Sequence, residues 1–114
     1  MTAPVILESP DLQVAVTPGV GGTITRITVK ASGLDVLGDV PWPVTDTPLA
    51  SGAARDEPEF LTRYSGGWPL LFPNAGDACD FDGAFHGFHG EGAITPWDVE
   101  AVSSERLVLT RRFD

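Results

Sequence analysis

A chain of 114 residues with 42 % apolar side chains can bury one core and is too short for two domains. Its 16 acidic residues outnumber 7 basic ones, and the net charge of −9 argues against nucleic acid or an anionic membrane as partner, since both need a basic face. The single cysteine, Cys79, excludes an intrachain disulfide and fits a reducing compartment. The start, MTAPVILESPDLQ, lacks the basic opening of a leader, and no apolar run nears the ~20 residues of a membrane helix. The cytoplasm is the expected location.

With 13 Gly and 10 Pro spread along the chain, long helices have little room. Leu12 to Val16 alternates apolar and polar positions and predicts a strand, closed by a turn at Thr17-Pro18-Gly19. Gly21-Gly22 leads into Thr23–Val29, a run dominated by β-branched residues. After a turn at Ser32-Gly33, Leu34–Leu37 predicts the return strand of a hairpin. Residues 39–63, broken by Pro41, Pro43, Pro48 and Pro58, read as a long irregular loop. In it Ser51 offers an N-cap for at most one helical turn, and Trp42 reads as a loop anchor. Pro69 and Pro73 bracket Leu70-Leu71-Phe72, which suits an edge strand. From Trp97 alternation resumes, with Trp97, Val99 and Ala101 on a core face. A turn at Ser103-Ser104 precedes a last strand from Leu107, which leaves an exposed sheet edge suited to self-association. The fold class expected is all-β, part of an antiparallel β-sandwich.

Chemistry concentrates in Tyr64–Glu91. Gly66-Gly67 allows positive φ or a close backbone approach. Asn74, Asp77, His86, His89 and Glu91 supply hydrogen-bonding groups, and Trp68 supplies an aromatic face. That mixture suits a sugar, whose hydroxyls need donors and acceptors and whose ring has an apolar side. Trp68 can equally be a packing residue. Asp80, Asp82, His86, His89 and Glu91 lack the spacing of a zinc or cupin site, so no metal is expected. Cys79 reads as a small packing residue rather than a nucleophile.

Gly66-Gly67-Trp68-Pro69-Leu70-Leu71-Phe72-Pro73 matches a G-G-x-P-x-x-F-P segment position by position. An early Gly-Gly strand opening, Gly21-Gly22-Thr-Ile-Thr-Arg-Ile, precedes it, and a His-Gly pair followed by a Trp-led strand comes after. In this order the chain resembles the aldose 1-epimerase (galactose mutarotase-like) superfamily, over residues 19 to 99. The family places Trp eight residues after its His. That spacing selects His89 over His86, since Trp97 follows His89 by eight and His86 by eleven.

The resemblance implies mutarotation without a cofactor. A base takes the O1 proton of a hemiacetal while an acid protonates the ring oxygen, and rotation about C1–C2 before reclosure gives the other anomer. It implies that His89 is the catalytic-site histidine that helps hold the ring, with Trp68, Asn74, Asp77, His86 and Glu91 as sugar-binding candidates. Asp77 and Ala93 stand where many relatives carry Arg, which lowers a sugar-phosphate substrate. The family's second His and late Glu fall beyond residue 114, so residues 1–114 read as the N-terminal part of one sandwich domain with an incomplete site. The competing reading is a non-catalytic carbohydrate-binding β module.

Overall fold

The computed structural model describes residues 3–43, 54–64 and 66–113. Four strands form an antiparallel meander in the order β1-β2-β3-β4: β1 Val5–Glu8, β2 Leu12–Thr17, β3 Thr23–Val29 and β4 Leu34–Asp35. β2 and β3 span the stretches read from the sequence. β4 is shorter than expected, because Val36 already turns away with its N–H still bonded to Ile27 O. β1 was not anticipated; its period-2 pattern half-buries Val5 and Leu7 and exposes Ile6 and Glu8. A bulge between Ala15 and Val16 shifts the β2–β3 register, and Thr25 Oγ1 donates to Ala15 O there.

Two further hairpins stand apart from this sheet: β5 Cys79–Phe81 with β6 Ala84–His86, and β7 Asp98–Val102 with β8 Leu107–Thr110. The β7–β8 register shifts between Val99 and Ala101. The bulge breaks the alternation expected there, and every β7 side chain is exposed. Trp97, just before β7, packs instead: its indole N–H donates to Gly92 O and its ring meets Phe113.

The one α-helix among the described residues, α1 Glu57–Leu61, lies where the sequence suggested an irregular loop. Asp56 caps it by accepting from Glu59 N at 3.0 Å. Pro58 was expected to limit a helix, yet it sits in the first turn, where its missing N–H costs nothing. Ser51, the anticipated cap, lies outside the described residues. Trp42 does anchor the loop, donating its indole N–H to Leu61 O at 3.0 Å. It also lines a cavity of about 390 Å³ with Pro43, Pro58, Leu61 and Thr62.

The core is small. Ala54, Phe60 and Ala93 are buried together, with Leu61, Tyr64, Phe88 and Ile94 packed around them. Its position follows from Phe60, which projects from α1 onto Phe88, while Phe88 N–H bonds Ala54 O.

Backbone seams join the pieces. Ile24 and Trp68 exchange both main-chain hydrogen bonds, at 3.1 and 2.8 Å, on the edge of β3 that β4 leaves free. A Cβ at Gly67 would lie 2.4 Å from Ile24 O, so only glycine permits that approach. Gly21 N donates to Thr95 O, and a Cβ there would strike Ala93 O. The Leu70–Phe72 run joins no ladder and is not the expected edge strand. Prolines on both sides remove donors, and Phe72 O instead accepts from Gly92 N.

Candidate functional site

The β5–β6 hairpin, the loop before it and the Gly87–Glu91 segment after it form one assembly. Asn74 in the preceding loop donates through Nδ2 to Asp77 O at 3.1 Å and to Gly87 O at 3.0 Å. One side chain thereby clips the entry of the hairpin to its exit. Asn74 Oδ1 is buried with no partner among the described residues. Of Asp77, the clip uses only the carbonyl, and the residue is exposed.

His89 makes a second clip beside the first. Its N–H donates to Gly76 O at 2.9 Å, and its ring Nδ1 accepts from Gly76 N–H at 2.8 Å. An Nδ1 that accepts carries no proton, so the neutral ring holds its hydrogen on Nε2. The residue takes φ +61, a left-handed conformation unusual for a side chain with Cβ. Phe60 meets the imidazole edge-on at 4.8 Å, and Phe88 lies against it at 4.0 Å. Burial lowers the His89 pKa from its ordinary 6.5, with the Glu57 charge acting in the opposite direction.

His86 and Glu91 form a separate pair. His86 Nδ1 lies 3.0 Å from Glu91 Oε1, both side chains being 21 % exposed. The carboxylate orients the imidazole and leaves Nε2 for another partner. Glu91 opens a single 3-10 turn, Glu91–Ala93, which begins after Gly90 at φ +78. A Cβ on Gly90 would lie 2.1 Å from Phe72 O, so the His-Gly pair and the Phe-Pro pair touch backbone to backbone. The Phe72–Pro73 peptide bond is cis.

The structure thus gathers Asn74, Asp77, His86, His89 and Glu91 into one neighbourhood. Trp68 is held on β3, and among the described residues no ring contact joins it to either histidine. Cys79 is a free, exposed thiol rather than the packing residue expected. It pairs across the hairpin with His86. Among the described residues no group of three or more His, Cys, Asp and Glu side chains is placed to hold a metal ion, and no helix is long and apolar enough to cross a membrane. The sequence reading missed the hairpin itself. Its signal was Asp82-Gly83, a two-residue pair that favours a tight turn between strands.

No protein-family model and no curated protein matches the sequence. Two solved structures are similar in fold, both with a TM-score of 0.63. One is a galactose mutarotase-like protein from Lactobacillus casei ATCC 334, at 15 % identity over 98 % of this chain and 33 % of that one. The other is the Slr1438 protein from Synechocystis sp. PCC 6803, at 23 % identity over 96 % of this chain and 36 % of that one. The chain spans about a third of the length of each, and it has the galactose mutarotase-like fold in that third.

Proposed function

We propose that this chain is the N-terminal, sugar-holding part of an aldose 1-epimerase-like site, acting in the cytoplasm on a free hexose or related sugar. The observation that carries the reading is the seam of Gly90 against Phe72 O. It joins the two motifs that the resemblance rests on, next to the segment that carries His89 and the His86–Glu91 pair.

His89, neutral with its proton on Nε2, donates a hydrogen bond to a ring or hydroxyl oxygen. The His86–Glu91 pair supplies an acceptor and a donor for neighbouring hydroxyls. Base at O1 and acid at O5 must stand on different sides of the ring. A clipped segment that contributes its groups from one side holds the sugar without opening it. The alternative, a non-catalytic carbohydrate-binding module, draws support from the same commitment of His89 Nδ1 to Gly76.

Two measurements on the isolated chain test the reading. Polarimetry should show α-D-glucose and α-D-galactose mutarotating at the spontaneous rate, and NMR should show amide shifts at Gly76, Gly87 and His89 on titration with either sugar. Enzyme-like mutarotation would mean the site is complete within 114 residues. Amide signals that ignore both sugars would remove the sugar reading.

A further inference from the structure

The β5–β6 hairpin is an arm with a rigid base. Asn74 clips Asp77 to Gly87, and His89 clips Gly76, so both ends are held by side chains of the preceding loop and the following segment. Its tip is a two-residue turn in which Asp82 and Gly83 both take positive φ, at 51° and 78°. That is the turn whose twist matches a tight hairpin, and it leaves the tip little freedom.

The register then sets which side chains share a face. Cys79 pairs with His86, Asp80 with Phe85, and Phe81 with Ala84. Alternation along each strand puts Phe81, Cys79, Ala84 and His86 on one face and Asp80 with Phe85 on the other. Because His86 bonds Glu91, the Phe81 face is the one turned toward the His86–Glu91 pair. Phe81 is 73 % exposed, the most open large apolar side chain among the described residues. Its ring contacts no other ring there.

We infer that Phe81 is the aromatic platform of the sugar site, stacking on the apolar side of a pyranose whose hydroxyls reach the His86–Glu91 pair. This rests on the sugar-holding reading above. Phe81 and His86 are diagonal cross-strand neighbours, about 7 Å apart. That gap is comparable to one sugar ring, with an apolar surface at one end and an imidazole–carboxylate pair at the other. Trp68, the aromatic residue that the motif suggests, is also open, at 62 % exposure, but its backbone pairs with Ile24 on β3, off the hairpin that carries His86. Phe85, on the opposite face and 51 % exposed, is the internal control.

Saturation-transfer NMR on the whole chain with D-galactose and D-glucose tests the assignment, using Phe81→Ala, Phe81→Trp and Phe85→Ala. Both positions are open to solvent, and circular dichroism checks that the fold is kept. The expected result is transfer to either sugar in the unsubstituted chain, roughly fivefold to tenfold weaker binding for Phe81→Ala, retention for Phe81→Trp, and no change for Phe85→Ala. If Phe81→Ala binds as well as the unsubstituted chain, the platform assignment is wrong and the sugar reading stands. Equal losses for Phe81→Ala and Phe85→Ala would overturn the face assignment. No transfer to the unsubstituted chain would overturn the sugar reading together with the platform.

Discussion

His89 combines three demands that few residues meet: left-handed φ, an accepting ring nitrogen and a place between Phe60 and Phe88. Its lowered pKa gives a signed prediction. The unfolded chain, with the ordinary 6.5, takes up the proton first as pH falls. The stability contribution is therefore complete above 6.5 and is lost as pH drops through the lower folded value. Denaturation midpoints should fall between about pH 7.5 and about pH 5.5. His89→Asn should flatten that slope, since Asn tolerates left-handed φ and does not titrate. A slope unchanged in His89→Asn would assign it elsewhere. Glu8 acts in a separate, more acidic window. Gln13 donates to its carboxylate, and Lys30 lies 3.7 Å away. Its pKa is held below 4.5, so its contribution is lost only as pH falls beneath that value.

Among the elements, the glycine seams dominate. Gly90→Ala places a methyl group into Phe72 O and imposes strain at φ +78, so it should cost about 2–4 kcal/mol in chemical denaturation. Gly83→Asn, with the same φ and open space around it, should change stability by less than about 0.5 kcal/mol. Equal costs would mean the seam is not what holds the motifs together. This contrast also marks what the sequence disclosed. The strands β2 and β3 were legible because β-branched alternation is a local signal. The Gly-Gly-Trp-Pro motif was legible as a glycine requirement, but its partner, Ile24 O, lies across the chain and leaves no local trace. β1 and the β5–β6 hairpin were missed although Val5–Glu8 alternates and Asp82-Gly83 marks the turn. Between the histidines, spacing selected His89, but only the fold shows that its Nδ1 is bonded to Gly76 while His86 faces Glu91.

The whole molecule is a slab of 49 × 32 × 23 Å, and few side chains among the described residues are deeply buried. Leu70, Phe72 and Phe113 are among the large apolar groups left at least a third exposed. Among the described strands, β8 pairs with β7 alone. Unpaired edges and open apolar surface favour association. Sedimentation velocity should show concentration-dependent self-association, weakened by Phe72→Ser with Phe113→Lys. A monomer at every concentration would show that this surface is inert in water. The seams also impose an order in time. The β1–β4 meander closes by short turns, whereas Gly21 meets Thr95 and Ile24 meets Trp68 only after much later residues exist. On a ribosome the first sheet would emerge early and wait, its glycine-lined edge bare, until Trp68 and then Thr95 arrive to cover it. Distant closures of this kind are slow, because the chain loses loop entropy before any contact repays it. The glycines that give the motifs their geometry therefore also make this sheet depend on its late-arriving half.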